Sequence, residues 1–220
     1  MRVYHFINAK YGLEDIRRQK IKISRLHDLN DPFELYALEL SDSRLRQAFS
    51  QVKDELHKNR GILCFSDRWS SPVMWSHYAE KHRGLCLEFE IPDAHLTKVH
   101  YSFSRLKSEL VHLFDSDPRV AEKAMLACLA TKFSHWRYER EWRAFVELDI
   151  QDKSGNYFAD IAENLKLTGV IVGPRSTVSR NDLENAFSKA RLDYRPTIFK
   201  SRLAFRSFRV VRNKNKNLWN

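Results

Sequence analysis

A pair of glutamates in the second half of the chain carries the strongest chemical signal. Glu139 and Glu141 are two residues apart, and Arg143 continues the spacing. The alternation over 138–148 predicts a long strand, which would place the three side chains on one face with the carboxylates about 6–7 Å apart. Paired carboxylates beside a guanidinium suit general acid/base catalysis or the stabilisation of a developing cation. A salt-bridged edge strand is the alternative interpretation.

An aromatic segment offers a second kind of chemistry. Trp75, Ser76, His77 and Tyr78 follow one another on a predicted short helix. Aromatic side chains hold flat rings such as bases or nicotinamide by stacking, at about 1–3 kcal/mol per base in nucleic-acid complexes. The alternative is that Trp75 and Tyr78 pack the helix onto a sheet while His77 is exposed.

The histidines and cysteines do not form a metal-binding pattern. His77 and His82 are five residues apart, which suits joint ligation on a helix poorly, and neither a Cys pair nor a His-Glu-x-x-His motif accompanies them. We therefore expect no metal. His5 lies in a predicted strand, where it is either a functional residue or a satisfied core histidine. The turn at 173–176 can receive a phosphate, but an ordinary strand-to-helix turn is favoured.

The elements that position these residues predict an α+β fold. Strands and helices alternate too irregularly for a βα barrel or a doubly wound sheet, so a mixed, mostly antiparallel sheet flanked by helices is expected. We predict one domain over 1–212 and a frayed basic tail over 213–220. The predicted strands are 3–7, 21–24, 62–66, 85–90, 138–148, 169–173, 197–200 and 203–211, and the predicted helices are 12–19, 42–59, 73–81, 105–114, 119–133 and 179–190.

Composition narrows the partners and the compartment. Lys and Arg number 38 against 28 Asp and Glu, a formal charge of +10. This favours acidic partners such as nucleic acid or nucleotide phosphates, with a merely basic surface as the alternative. We expect neither a signal peptide nor a membrane span, because no long apolar run is present. Three widely spaced cysteines indicate reduced thiols, so we expect a cytoplasmic protein.

Several segments together resemble an uncharacterised bacterial domain-of-unknown-function family. Their order and spacing cover most of the chain, and the family implies no settled activity. The segments are Tyr4-His5-Phe6, Asn30-Asp31-Pro32-Phe33-Glu34, Cys64-Phe65-Ser66, Met74-Trp75-Ser76-His77-Tyr78-Ala79, His82-Arg83-Gly84 and Tyr138-Glu139-Arg140-Glu141-Trp142-Arg143.

The chain also resembles ADP-ribosyltransferases, whose pattern places a histidine on an early strand, an aromatic residue on a later helix and a glutamate on a late strand. His5, Tyr78 and Glu141 occur in that order. The resemblance implies an ADP-ribosyltransferase-like fold with NAD as cofactor. His5 would then bind a ribose hydroxyl, Tyr78 would stack on nicotinamide, and Glu141 would stabilise the oxocarbenium-like transition state while Glu139 orients the acceptor.

The full set of candidate site residues adds Trp75, Ser66 and Arg143 to these four. Glu141, Glu139 and His5 are the candidates for catalysis. The candidates for cofactor binding are His5, Tyr78, Trp75, Ser66 and Arg143. The acceptor would be nucleic acid or protein, in a toxin-type or phage-defence context.

Two other functions remain open on the sequence. A non-catalytic nucleic-acid-binding or defence-associated module would stack bases on Trp75 and Tyr78, and would hold phosphates with Arg140, Arg175 and the C-terminal basic run, together with Arg143. A nuclease would use Glu139 and Glu141 with a divalent ion, and is the least favoured because no third acid stands at a recognisable spacing.

Overall fold

The computed structural model describes residues 1–34, 37–107, 117–190, 192–215 and 219. The strands are β1 (Arg2–Ile7), β2 (Lys20–Arg25), β3 (Arg60–Ser66), β4 (Leu85–Glu90), β5 (Thr97–Lys98), β6 (His100–Ser102), β7 (Thr131–Phe133), β8 (Glu141–Glu147), β9 (Tyr157–Asp160), β10 (Lys166–Val172), β11 (Thr197–Leu203) and β12 (Val210–Arg212). The helices are α1 (Ala9–Arg18), α2 (Ser43–Asn59), α3 (Pro72–Tyr78), α4 (Pro118–Leu129) and α5 (Arg180–Ala190).

Most strands join one large sheet. Its order is β12-β11-β10-β4-β1-β3-β2-β9, and β8 pairs with β3 and with β5. The pairing of β10 with β11 is parallel, whereas the other described pairs of this sheet are antiparallel. A separate parallel pair joins β6 to β7. The prediction of an α+β fold with a mixed, mostly antiparallel sheet is therefore confirmed.

The sheet opens along β3. On one side, β3 pairs with β8 throughout its length, from Arg60 opposite Glu147 to Ser66 opposite Glu141. On its other side, β3 pairs with β1 at Ser66 and with β2 near its beginning, at Gly61 and Ile62. Strands β1 and β2 therefore diverge over the middle of β3, and the divergence leaves space beside it.

Two apolar layers cover the two faces of the sheet. In a strand successive side chains point to opposite faces, so Val3 of β1 packs with Leu87 of β4 and with helices α1 and α5, whereas Tyr4 and Phe6 pack with Trp75 of α3. The register places Tyr4 beside Ser66, and Ser66 beside Glu141. The face covered by α3 is thus the one that carries Glu141.

Several predicted boundaries are wrong in ways that matter for the site. The strand predicted over 138–148 begins at Glu141, because residues 134–139 form a 3₁₀ turn. The helix predicted over 119–133 ends at Leu129, and residues 131–133 form β7 instead. The helix predicted over 73–81 ends at Tyr78, since Glu80, Lys81 and His82 adopt positive φ.

The C-terminal part also departs from the prediction. Residues 203–211 are not one strand but the end of β11, a turn and β12, which form a hairpin. Trp219 of the predicted frayed tail is buried, and its indole N–H donates to the Val178 carbonyl oxygen at 2.9 Å. The predicted helix over 105–114 lies mostly outside the described residues. In the described part of the chain, no helix has both the length and the apolar character that crossing a membrane requires.

Candidate active site

A half-open cavity of about 260 Å³ lies where β1 and β2 diverge. Its walls come from β1, the end of β2 and the loop after it, β3, α3, β7 and the segment leading into β8. The lining includes His5, Glu34, Ser66, Tyr78, Lys132, Glu139 and Glu141. Five residues proposed from the sequence, His5, Ser66, Tyr78, Glu139 and Glu141, are therefore brought together from four separate parts of the chain.

Lys132 stands at the centre of a buried group of charges. Its ammonium nitrogen Nζ lies 2.7 Å from Glu34 Oε1, 2.6 Å from Glu139 Oε2 and 3.2 Å from Glu141 Oε2. The side chains of Lys132 and its partners are 3–6% exposed. An ammonium group has three donors, and here each meets a different carboxylate.

Arg143, which is fully buried and does not line the cavity, completes the group. Its Nε donates to Glu141 Oε1 at 2.8 Å, and its Nη2 donates to Glu141 Oε2 at 3.1 Å and also to Glu34. The remaining nitrogen, Nη1, donates to the Leu129 carbonyl oxygen at 2.7 Å. We call Glu34, Lys132, Glu139, Glu141 and Arg143 the charge cluster. With all five ionised, it carries three negative and two positive charges.

Local backbone geometry aims these side chains at one point. Glu141 and Arg143 are two residues apart in β8 and so share a face. Glu139 precedes the strand, but Arg140 between them takes a left-handed conformation with φ of 50°. This residue bends the chain so that Glu139 also reaches Lys132. Arg140 itself is held outside the cavity, where its Nη2 donates to Asp67 at 2.8 Å.

The pKa values of Glu139 and Glu141 are shifted in opposite directions. Burial raises the pKa of Glu141, but the charges of Arg143 and Lys132 outweigh burial and bring that pKa to about 2. Burial also raises the pKa of Glu139, and there the attraction of Lys132 does not cancel the effect. Glu141 thus stays ionised, whereas Glu139 is the easier of the two to protonate.

Tyr78 links α3 to the charge cluster. Its hydroxyl donates to Glu139 Oε1, and the hydroxyl oxygen accepts a bond from Asn30 Nδ2 at 3.2 Å. Burial and the Glu139 charge raise the pKa of Tyr78 far above its usual value, so the phenol stays protonated. The hydrogen bond fixes the ring at the cavity wall.

His5 lines the cavity beside the gap between β1 and β3, although strand alternation gives its side chain the face of Val3, where its ring lies edge-on to Phe65 with centroids 5.9 Å apart. Its Nδ1 lies 2.9 Å from the Cys64 carbonyl oxygen, and this geometry assigns the proton to Nδ1. Burial lowers the pKa of His5, so the ring is neutral and offers Nε2 as an acceptor. Ser66 is tied to the same wall, since its hydroxyl donates to the Glu139 carbonyl oxygen at 2.6 Å.

In comparison with known proteins, one family model matches the segment that carries most of the charge cluster. Residues 74–144 match the family described as "Protein of unknown function (DUF2971)". The match runs from α3 into β8, and it confirms the prediction of an uncharacterised domain family. No curated protein and no solved structure gave a significant match. The resemblance to ADP-ribosyltransferases stays a prediction.

Within the matched segment, the structure corrects the role expected for Trp75. The residue is 0% exposed, its ring packs edge-on against Phe6 with centroids 5.3 Å apart, and its indole N–H donates to the Trp69 carbonyl oxygen at 2.6 Å. Trp75 cannot stack on a ligand while it fills this core position. It packs α3 against β1, and Tyr78, one helical turn later, faces the cavity.

Arg143 requires a similar correction. Its side chain is 0% exposed, and all of its donors are directed at Glu34, Glu141 and Leu129. It therefore holds the carboxylates in place and does not contact a cofactor or a phosphate. Lys132 and Glu34 were not selected from the sequence. The only signal for Glu34 was its place in the segment 30–34, and Lys132 was concealed in a predicted helix.

A divalent ion does not suit the charge cluster. Glu34 supplies the third acid that the nuclease interpretation lacked, but the Lys132 ammonium already occupies the point where the carboxylates converge. Burial lowers the pKa of Lys132, yet the attraction of the glutamates outweighs it and raises that pKa above its ordinary value. The described residues contain no group of three or more His, Cys, Asp or Glu arranged to hold a metal.

Proposed function

We propose that the cavity binds the nicotinamide and adjoining ribose of NAD and cleaves the bond between them, as an ADP-ribosyltransferase-like enzyme. One observation carries this proposal: His5, Tyr78, Glu139 and Glu141 line a single cavity. Their elements are a strand, a helix, a 3₁₀ turn and a second strand, so only the folded chain brings them together.

The chemistry follows from the charge on each residue. When the glycosidic bond breaks, its electron pair leaves with nicotinamide and the ribose carbon becomes cationic. The carboxylate of Glu141, with its pKa held to about 2, stabilises that cation without taking up a proton. The acceptor then forms the new bond to the ribose carbon, and its proton passes to Glu139, whose pKa is raised by burial.

Tyr78 and His5 serve binding in this proposal. The ring of Tyr78, fixed through Glu139 and Asn30, offers a face to the nicotinamide. The free Nε2 of His5 accepts a hydrogen bond from a ribose hydroxyl. Because pockets for whole ligands span about 300–1,000 Å³, a cavity of about 260 Å³ suits the nicotinamide riboside part and leaves the adenosine half outside.

The test is the release of nicotinamide from labelled NAD. The wild-type protein is expected to release nicotinamide or to label an acceptor, with water, protein and nucleic acid offered in parallel. Glu141→Gln keeps the size of the side chain but removes the charge, and it should lower turnover at least a hundredfold, in line with the roughly 10²–10³-fold effect of a single electrostatic group. Glu147→Gln, on an exposed position of the same strand, is the matched control.

Two results would contradict the proposal. One is the absence of NAD binding at millimolar concentration by calorimetry. The other is equal turnover in Glu141→Gln and Glu147→Gln. A third measurement separates loss of folding from loss of chemistry, because Glu141→Gln should keep the wild-type circular dichroism spectrum. Turnover should also survive a chelator, whereas a metal-dependent nuclease would be inactivated.

The partner and the compartment are part of the same proposal. We propose nucleic acid as an acceptor class because of the net charge of +10, in a toxin-type or defence context. The thiols of Cys64, Cys86 and Cys128 are free, which supports action in the cytoplasm. The purely binding alternative loses two of its residues, since Trp75 and Arg143 are fully buried.

A further inference from the structure

The C-terminal hairpin presents an exposed tip that the cavity does not use. Strands β11 and β12 pair from Ser201 opposite Arg212 to Leu203 opposite Val210. Beyond them, the Ala204 amide donates to the Arg209 carbonyl oxygen at 3.0 Å and closes the turn. The hairpin is anchored at its base, because the Val210 amide donates to the Ser70 carbonyl oxygen at 3.0 Å. The tip is therefore an ordered projection.

Two phenylalanines at this tip are almost fully in solvent. Phe205 is 90% exposed and Phe208 is 99% exposed, more than any other large apolar side chain among the described residues. By contrast, Phe199 of β11 packs against Trp69, with ring centroids 5.5 Å apart. The tip residues contribute nothing comparable to the core, and their exposure costs solubility unless a partner uses them.

Arginines surround the two rings, and acids are absent from the neighbouring sequence. Residues 194–220 contain eight Lys or Arg and no Asp or Glu. Arg206 and Arg209 flank Phe208 and are exposed. The guanidinium of Arg202 lies 4.4 Å from the centroid of the Phe205 ring. The tip thus offers flat apolar faces between planar cations.

We propose that this hairpin tip is a binding site for single-stranded nucleic acid. Unpaired bases stack on Phe205 and Phe208, and Arg202, Arg206 and Arg209 bind the flanking phosphates. Stacking on aromatic side chains with cations along the backbone is the general mode by which proteins hold single strands. A duplex hides the faces of its bases, so it engages the arginines alone.

The shape of the tip favours a nucleic acid over a membrane surface. Segments that lie in a lipid interface need a broad apolar face. Here the two rings are separated by Arg206 and Ser207, and Arg209 follows Phe208 directly. Arginine also binds phosphate through a planar fork, and it stacks, whereas lysine acts as a point charge. The tip contains arginine and no lysine.

The site stands apart from the NAD chemistry proposed above. None of its residues lines the cavity, so binding at the hairpin and turnover of NAD are separate measurements. If both proposals hold, the hairpin recruits the acceptor whose modification the cavity carries out. The hairpin proposal itself requires only binding.

Fluorescence anisotropy with a short labelled oligouridylate, an oligothymidylate and a matched duplex tests the site. We expect both single strands to bind more tightly than the duplex at low salt. Phe205→Ala and Phe208→Ala should each weaken single-strand binding roughly 5- to 150-fold, from about 1–3 kcal/mol per stacked base. The matched control is Phe103→Ala, which removes a ring that is 75% exposed elsewhere and should change nothing.

Salt dependence tests the arginines separately. Arg206→Gln should reduce the slope of log affinity against log salt by about 0.7, the value for one phosphate contact on a single strand. Arg44→Gln, an exposed arginine of α2, is the control for net charge. The proposal is overturned if no oligonucleotide binds at low salt, or if Phe103→Ala weakens binding as much as Phe205→Ala. Binding of phosphatidylserine vesicles, lost in Phe205→Ala without any oligonucleotide binding, would assign the tip to a membrane instead.

Discussion

Replacing Arg143 by methionine tests the electrostatics of the charge cluster directly. Arg143→Met keeps an unbranched side chain in the position but removes the donors that meet Glu141 and Glu34. Both carboxylates remain buried, with only the Lys132 ammonium to compensate them. We therefore expect a large loss of stability at neutral pH that shrinks in acid.

The pKa of Glu141 sets the size of the effect. The folded state lowers that pKa from 4.5 to about 2, so it stabilises the fold above pH 4.5 by about 3 kcal/mol and loses this contribution as the pH falls towards 2. Breaking one partner of a buried ion pair costs about 3–5 kcal/mol in other proteins. We expect Arg143→Met to lose that amount at pH 7, out of a total of roughly 5–15 kcal/mol.

Urea unfolding followed by tryptophan fluorescence measures the loss at pH 7 and at pH 3. From pH 7 to pH 3 the wild-type protein loses about 2 kcal/mol of the stability that Glu141 contributes. The difference in free energy of unfolding between the wild type and Arg143→Met should therefore narrow by that amount. Arg140→Met is the control, since Arg140 pairs with Asp67 at the surface and should cost at most about 1 kcal/mol. Equal losses in the two variants, or a difference independent of pH, would refute the reasoning.

Three further predictions concern single residues. Trp75→Phe should lower the free energy of unfolding by at least about 1 kcal/mol, because it loses the hydrogen bond to Trp69, yet it should leave the KM for NAD unchanged. Lys81→Gly should raise the melting temperature relative to Lys81→Ala, because a residue with φ of 52° is strained by about 1 kcal/mol unless it is glycine. Burial and the Glu14 charge raise the pKa of Asp15 to about 7, so the folded protein favours the protonated carboxyl. The stability that this preference contributes is complete below pH 3.8 and is lost as the pH rises through 7. Asp15→Asn should therefore be more stable than the wild type at pH 8 by up to about 4 kcal/mol, and a gap that persists at pH 4 would contradict this.

Residue type and order predicted much of the site but not its centre. The carboxylate pair, His5 and Tyr78 stand out because few structural roles need such residues in strands and short helices. Their convergence needed the sheet order, which places β1, β3 and β8 side by side. Lys132 could not be found, because its pattern continues α4 and only the parallel pairing of β6 with β7 makes it a strand residue.

The direction of individual side chains was the second feature that the sequence did not determine. Trp75 and Tyr78 are three residues apart on α3, and both are aromatic, so the local sequence does not say which of them faces the core. The contact of Trp75 with Phe6, remote in sequence, decides it. The position of Glu139 depended in the same way on one left-handed residue, Arg140. The strand predicted over 138–148 also put Glu139 and Glu141 on one face. In the structure, their common direction depends on the bend at Arg140 and not on strand alternation.

The charge cluster also constrains how the chain folds. Arg143 and Glu34 are 109 residues apart, and a half-assembled cluster would leave buried charges without partners. We expect such contacts to form only after the surrounding sheet has closed, since loop closure and desolvation both oppose them earlier. Substitutions in the cluster should then show φ-values near zero. They would accelerate unfolding and leave the folding rate almost unchanged. The cluster would then slow the unfolding of the native protein without speeding its formation.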